Sequence, residues 1–182
     1  MNRPVERQAT SLQFEVRLGP PAVTHGADIH RLVGECAPLD LNSAYAYLLL
    51  CAHHAQTCVR AEQDGRTVGF VSAYRVPQRP EVLFVWQVAV AAEMRGQGLG
   101  GRMLQELLER ESVRGCRYLE TTVSPSNHAS RSLFHALARR LGASMQESVM
   151  FSERDFGGAS HESETLFRIG PIKTRQEESN QL

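Results

Sequence analysis

Residues 86–100 read WQVAVAAEMRGQGLG, and this segment is the most informative about the fold. An apolar strand runs into a glycine-rich turn, and the turn opens directly into an amphipathic helix. Gly96, Gly98 and Gly100 lack side chains, so consecutive backbone N–H groups can approach a ligand closely. The start of the helix adds unpaired N–H donors and the positive end of the helix dipole. Together with the charge of Arg95, the turn predicts an anion site, and a pyrophosphate is the expected guest.

The glycine spacing excludes two common nucleotide-binding loops. The dinucleotide-binding pattern G-x-G-x-x-G belongs to the first turn of a parallel β-α-β unit, whereas this turn follows the third strand in a run of predicted hairpins. The Lys-Ser or Lys-Thr ending of a nucleoside-triphosphate loop is also missing. A plain connection between a strand and a helix remains as the alternative.

Two motifs resemble those of the GNAT family of N-acetyltransferases. The turn fits the pattern Arg/Gln-x-x-Gly-x-Gly/Ala, and residues 124–134, SPSNHASRSLF, match an element in which an Asn opens the helix that lines the coenzyme. The resemblance covers roughly residues 66–151. It implies that acetyl-CoA is the cosubstrate and that it is held by Val88, Ala89, Val90, Arg95, Gly96, Gln97, Gly98, Leu99, Gly100, Asn127 and Ser130.

Hydrophobic periodicity extends the assignment outward from the turn. Helical spacing predicts helices over residues 28–36, 44–51, 99–113 and 129–141. Strand patterns cover residues 14–18, 57–62, 67–74, 81–90, 117–123, 144–151 and 165–169, with a hairpin turn at Asp64-Gly65. Residues 1–12 and 173–182 are polar and are expected to be flexible, which leaves a single predicted domain over residues 13–172.

This order of elements indicates the α+β class, with a mostly antiparallel sheet and one β-α-β crossover. The GNAT resemblance implies a twisted sheet of six or seven strands flanked by about four helices. It also implies that the strands at residues 81–90 and 117–123 splay apart and that pantetheine pairs with backbone groups in the gap. A backbone N–H near Val88 would polarise the thioester carbonyl, and an amine would attack directly. Phe134 stands where many GNAT enzymes have a tyrosine that protonates the leaving thiolate, so the usual general acid is absent or located elsewhere.

Two further segments resemble the diaminobutyrate acetyltransferase family of ectoine biosynthesis. They are CAPLDLNSAYAYLLLC at residues 36–51 and DFGGASHESETLFRIGPI at residues 155–172. With the core between them, the resemblance covers about residues 14–172. It implies transfer of acetyl to the 4-amino group of L-2,4-diaminobutyrate, a step in making a compatible solute against osmotic stress.

A small diamino acid needs anionic groups and hydrogen-bond partners in its pocket. The candidate substrate-binding residues are Asp40, Asn42, Tyr45, Trp86, His161, Glu162 and Glu164. Strand alternation predicts that Trp86 shares a face with Val88. The candidate catalytic residues are His161, Glu162 and Glu164, which could take the amine proton, and Val88. In the plainer alternatives, Asp40 caps the next helix, Tyr45 and Trp86 belong to the core, and both glutamates are solvated charges.

Composition limits the partners. Twenty basic and twenty acidic residues cancel and the pI is about 7.1, which argues against nucleic acid. No apolar run approaches the ~20 residues that cross a bilayer, and no secretory signal is recognised, so we expect a cytoplasmic protein without a membrane partner. The four cysteines lack metal-ligand spacing and are expected to be reduced, partly buried thiols, with no metal site. The family resemblance suggests a homodimer.

Two other functions stay open on the sequence. One is a GNAT enzyme for another amine, such as a polyamine, an aminoglycoside or a protein N-terminus. The other is a non-catalytic module that senses acetyl-CoA, a hypothesis that Phe134 favours slightly because it cannot donate a proton.

Overall fold

One mixed sheet with helices on both faces holds the glycine turn. The structure, a computed structural model, describes residues 15–157 and 161–172. Within these residues the helices are α1 (Gly26–Gly34), α2 (Ala44–His53), α3 (Leu99–Leu108) and α4 (His128–Arg140). The strands are β1 (Arg17–Gly19), β2 (Val59–Gln63), β3 (Arg66–Val76), β4 (Arg79–Val90), β5 (Tyr118–Val123), β6 (Met145–Phe151) and β7 (Glu164–Ile169).

The strands lie in the order β1-β2-β3-β4-β5-β7-β6. Every neighbouring pair is antiparallel except β4 and β5, which run parallel because α3 crosses over between them. The predicted fold class, a mostly antiparallel sheet with one crossover and four flanking helices, is therefore confirmed.

The predicted splay between β4 and β5 is also confirmed. These strands pair only over Val82–Val85 of β4 and Tyr118–Thr121 of β5. Beyond that point β4 stays paired with β3 as far as Val90, and β5 stays paired with β7 as far as Val123. A gap therefore opens at the centre of the sheet, beside the residues that lead into the glycine turn.

Helices cover the two faces of the sheet in pairs. Tyr47 of α2 contacts both His30 of α1 and Phe70 of β3, with ring centroids 5.8 and 6.4 Å apart, which defines the α1/α2 face. A Cβ on Gly69, the neighbour of Phe70, would lie 2.9 Å from the sulfur of Met103 in α3. Successive strand residues point to opposite faces, so α3 covers the other side, the α3/α4 face.

A β-bulge in β4 corrects the predicted orientation of Trp86. Ser72 of β3 faces Gln87 while the next residue, Ala73, faces Val85, so Trp86 has no partner of its own. Val85 and Val88 both lie on the α3/α4 face, because their partners in β3 are two residues apart. The extra residue places Trp86 with Gln87 on the α1/α2 face, opposite Val88, and the prediction of a shared face was wrong.

A buried carboxylate stabilises the closed end of the splay. Glu120 of β5 is fully buried and accepts two hydrogen bonds from Arg79, at 2.8 and 2.9 Å. Arg168 of β7 also donates to it. These bonds join β4, β5 and β7 just before β4 and β5 separate.

Local signals explain most element boundaries. Asp64 and Gly65 have φ values of +51° and +77°, the pair of left-handed residues that the predicted hairpin turn needs. Ser43 caps α2, since its side chain accepts from the N–H of Ala46 at 3.3 Å, so Asp40 is not the cap. The helix predicted over residues 99–113 ends at Leu108, and a 3-10 turn then buries Val113. That turn satisfies the same apolar spacing without continuing the helix.

Further predictions concern the ends of the chain, membrane-spanning helices and the cysteines. The predicted flexible residues 1–12 and 173–182 lie outside the described residues, as does the first residue of the strand predicted at 14–18. Within the described part of the chain, no helix is long and apolar enough to cross a membrane. The four cysteines, predicted to be partly buried, are all buried free thiols, and burial raises the pKa of Cys58 to about 12.

Candidate active site

The glycine turn presents bare backbone at the beginning of α3. Gly96 and Gly98 both have a φ of +74°, a left-handed conformation that side chains rarely adopt. Alternating left-handed residues direct successive N–H groups to one side, which forms a concave site for an anion. Gly98 is the N-cap of α3 and supplies no side-chain cap, so the first N–H groups of the helix remain available to a ligand. The geometry agrees with the predicted anion site.

A cavity of about 310 Å³ opens over this turn. Its walls are the turn itself, the first residues of α3 and α4, the end of β4 and the segment at residues 36–39. The predicted cofactor residues that line it are Val88, Val90, Arg95, Gly96, Gly98, Leu99, Gly100, Asn127 and Ser130. The structure thus brings both sequence motifs to one cavity.

Two predicted cofactor residues lie elsewhere. Ala89 is fully buried and pairs with Phe70, so its side chain points to the α1/α2 face. Gln97 is exposed, and its amide donates to the carbonyl oxygen of Glu93 at 2.7 Å. A role for either side chain in lining the cavity is therefore not observed.

The cavity also contains residues that sequence reasoning missed. They are Cys36, Ala37, Pro38, Leu39, Met94, Gly101, Ala129 and Leu133. Leu133 could have been predicted from the sequence, because it lies about two turns into the helix that Asn127 begins. The segment at residues 36–39 comes from the end of α1 and is held by tertiary contact, with the Cys36 thiol donating to the Val90 carbonyl at 3.4 Å.

The cavity walls fit the phosphates and the pantetheine arm of acetyl-CoA. Gly100 faces Leu133 of α4 and Val88 of β4, since a Cβ there would lie in ordinary contact with them, at 3.4 and 3.7 Å. Asn127 caps α4 by accepting from the N–H of Ser130 at 3.1 Å, which leaves its amide N–H₂ for a ligand. Arg95 uses its Nε on the Val90 carbonyl and keeps its remaining N–H groups for an anion.

The N–H of Val88 points into the gap between β4 and β5. The N–H of Gln87 donates to the Ser72 hydroxyl on β3 at 3.1 Å, and the N–H of Ala91 donates to Val68, also on β3, at 2.9 Å. Neighbouring N–H groups of a strand point to opposite edges, so those of Val88 and Val90 face the gap. No β5 partner pairs with them in the described ladder. The N–H of Val88 is therefore unpaired within the described sheet and faces the gap.

Three titratable candidates meet on the α1/α2 side of this gap. The Asp40 carboxylate lies 3.5 Å from Nε2 of His161, and the charges of both residues act on the carboxyl group of Glu164. We call Asp40, His161 and Glu164 the acid–histidine cluster. The His161 ring stacks on Phe156, with centroids 3.8 Å apart, and its Nδ1 lies 2.6 Å from the Glu162 carbonyl oxygen. Phe156 thus fixes the plane of the imidazole.

The environments of the cluster shift two pKa values upward. Burial raises the pKa of Glu164, although a hydrogen bond from Thr122 of β5 lowers it in part. The hydrogen bond to the Glu162 carbonyl raises the pKa of His161, and Asp40 raises it further. Glu164 is therefore a better proton acceptor than an ordinary glutamate, since a base is most effective when its pKa approaches the working pH.

The Glu162 carboxylate is bound outside the cluster, although its charge also acts on the carboxyl group of Glu164. Its carboxylate accepts from both the N–H and the hydroxyl of Ser126, at 3.2 and 2.6 Å. These bonds lower its pKa and tie its segment to the loop before α4. Glu162 is thus better placed to anchor this segment than to accept a proton.

The aromatic candidates differ in position. Trp86 is 42% exposed and lies on the α1/α2 face, the face that Thr122 also occupies. Tyr45 is 68% exposed on the first turn of α2. Phe134 is buried in the core and does not line the cavity. The backbone N–H of Asn42 donates to the Tyr47 hydroxyl at 3.4 Å.

Comparisons with known proteins agree with this geometry. Residues 27–138 match the model of the Acetyltransferase (GNAT) family. The L-2,4-diaminobutyric acid acetyltransferase of Bordetella parapertussis is 56% identical over 92% of this chain and 90% of its own. That of Methylotuvimicrobium alcaliphilum is 45% identical over 88% and 94%. The diaminobutyrate acetyltransferase EctA from Paenibacillus lautus, solved with L-2,4-diaminobutyric acid and coenzyme A, is 43% identical over 88% and 98%, with a TM-score of 0.86.

Proposed function

The chain belongs to the GNAT family of acetyltransferases and, within it, to the L-2,4-diaminobutyric acid acetyltransferases, and on this premise we propose that it acetylates the 4-amino group of L-2,4-diaminobutyrate in ectoine synthesis. The observation that carries the proposal is the continuity of the two sites. Leu39 and Val88 line the cavity, while Asp40 and Trp86, one and two residues away in the chain, lie on the side of the acid–histidine cluster.

The cavity residues bind and orient the cosubstrate. The N–H groups of the turn, the beginning of α3 and Arg95 would hold the pyrophosphate, and the amide of Asn127 would donate to acetyl-CoA. Acetyl-CoA supplies, when bound, an acetyl group activated as a thioester. The N–H of Val88 donates to the carbonyl oxygen, where negative charge develops as the amine attacks.

The acid–histidine cluster prepares the amine. Asp40 and Glu164 bind the two ammonium groups, and Trp86 forms an aromatic wall on the same side of the sheet. Glu164 takes the proton of the attacking amine, because its raised pKa brings it closer to neutrality than an exposed carboxylate. Phe134 has no proton to donate, and solvent water protonates the thiolate, a stable leaving group because thiol pKa values are near 8.5.

The remaining parts of the proposal concern context. We propose a cytoplasmic homodimer formed by a single domain over residues 13–172, with no nucleic-acid partner. The balanced charge supports the last point, and exposed apolar side chains on α2 (Tyr45, Leu48 and Leu49) support an interface. Light scattering coupled to size exclusion gives the oligomeric state directly, and a mass of one chain would reject the dimer.

A substrate panel tests the proposed activity. Coenzyme A release is measured with L-2,4-diaminobutyrate, ornithine, lysine and spermidine as acceptors. Selective turnover of diaminobutyrate is the expected result. Turnover of a different amine would keep the acetyltransferase and reject the substrate, and binding of acetyl-CoA with no turnover would favour a cofactor sensor.

A further inference from the structure

A chain of buried polar groups lies on the α1/α2 face of the sheet and has no part in the mechanism above. Ser72 and Tyr47 are fully buried, and Gln87 is 5% exposed. Buried polar side chains are retained where each finds a partner, because an unpaired one is costly. These three side chains lie on the α1/α2 face, at the bulge of β4 and beneath α2.

Gln87 forms bonds in three directions. Its backbone N–H donates to the Ser72 hydroxyl at 3.1 Å, which fixes the bulge. Its side-chain oxygen accepts from the Tyr47 hydroxyl at 3.2 Å, and its side-chain nitrogen donates to the backbone carbonyl of Asp40 at 2.7 Å. The Tyr47 hydroxyl in turn accepts from the N–H of Asn42 at 3.4 Å. The backbone of residues 40–42 is therefore held at both ends by Gln87 and Tyr47.

These hydrogen bonds to the backbone of residues 40–42 matter because the side chain of Asp40 is 84% exposed. An exposed carboxylate on a short segment before α2 gains little positional order from packing. Fixing its backbone carbonyl defines where the carboxylate can reach, and it reaches Nε2 of His161. Gln87 also directly precedes Val88, whose N–H faces the gap. One residue thus connects the strand that polarises the acetyl group with the segment that binds the amine.

We propose that Gln87 is a positioning residue that, with Tyr47 as its partner, sets the distance between the amine-binding Asp40 and the Val88 N–H. This inference rests on the proposed function, since it takes Asp40 as an amine-binding group. It predicts that Gln87 acts on the diamino acid through Asp40, while acetyl-CoA, bound at the glycine turn, is little affected.

Steady-state kinetics of Gln87→Met test the inference. Methionine keeps the length of the side chain but can neither donate to Asp40 nor accept well from Tyr47. We expect KM for diaminobutyrate to rise about tenfold, the scale of a lost positioning hydrogen bond, with KM for acetyl-CoA within about twofold of wild type. Tyr47→Phe, which removes only a hydroxyl, should shift the same parameter in the same direction. Tyr74→Phe is the matched control, because Tyr74 of β3 packs on Phe84 and lies outside this chain of hydrogen bonds.

A double-variant cycle separates positioning from general destabilisation. If Gln87 acts through Asp40, Gln87→Met should add almost nothing to KM for diaminobutyrate once Asp40→Asn is present. Additive effects, an equal rise of both KM values, or an unchanged KM in both Gln87→Met and Tyr47→Phe would overturn the inference. Wild type that fails to turn over diaminobutyrate would instead reject the proposed function, so the two failures are distinguishable in one assay.

Discussion

Gly98→Ala is the variant that best tests the glycine turn as the phosphate site. Gly98 has a φ of +74°, and an added Cβ would meet no atom within 4 Å. The cost is therefore conformational rather than steric, and it amounts to about 1–2 kcal/mol for a residue with a side chain in the left-handed region. In the free protein the turn can relax to relieve this strain, but binding the phosphates restores the strained shape. The same energy then weakens binding, so Kd for coenzyme A rises roughly 5–30-fold.

Gly65→Ala is the matched control. Gly65 has a φ of +77° and equally open surroundings, but it lies in the hairpin between β2 and β3. It should lower the free energy of unfolding by a similar ~1–2 kcal/mol in urea titration and leave coenzyme A binding unchanged. Isothermal titration calorimetry with coenzyme A measures Kd for both variants. Binding of Gly98→Ala within twofold of wild type, or equal weakening in Gly65→Ala, would refute the assignment of the turn.

Three further variants test other parts of the account. Glu164→Gln should lower kcat by about 10²-fold and remove the acidic limb of the pH–rate profile, and a retained limb would contradict Glu164 as the base. Because burial raises the folded-state pKa of Glu164, the stability that this carboxyl group contributes is lost as pH rises through that pKa. The variant should therefore be no less stable than wild type at pH 8. Ser126→Ala should raise the pKa of Glu162 toward its ordinary value, as measured by carbon NMR, and an unchanged pKa would exclude Ser126 as the cause of its depression. Because the pKa of Glu162 is depressed in the folded protein, wild type loses stability as pH falls through it, and the variant should lose less. Glu120→Ala removes the buried carboxylate that accepts from Arg79 and Arg168. Because these arginines are 43% and 28% exposed and regain water, the free energy of unfolding in urea should fall by only about 2 kcal/mol, and an unchanged value would contradict a stabilising role for Glu120.

The local features of the fold could be predicted from the sequence because each depends on neighbouring residues. The turn glycines, the Asp64-Gly65 hairpin and the Asn127 cap all act within a few positions of the chain. The end of α3 could not, because Val113 is buried equally well in a helix or in the 3-10 turn that replaces it.

The candidate site was predictable in its residues more than in its geometry. Strand alternation placed Trp86 beside Val88, but a bulge adds one residue and leaves no mark in the alternation itself. Glu162 and Glu164 look equivalent in the sequence, and only tertiary contacts separate them, since Ser126 binds one and Thr122 the other. The part played by Gln87 was invisible for the same reason, because its partners lie 40 and 47 residues away.

The position of the acetyl group in the product is the sharpest test of the proposed activity. Wild-type protein is incubated with acetyl-CoA and L-2,4-diaminobutyrate, and the product is examined by two-dimensional NMR. We expect a correlation from the acetyl carbonyl carbon to the protons on C4, which identifies the 4-amino group as the acceptor. A correlation to the proton on C2, or no acetylated product, would contradict it.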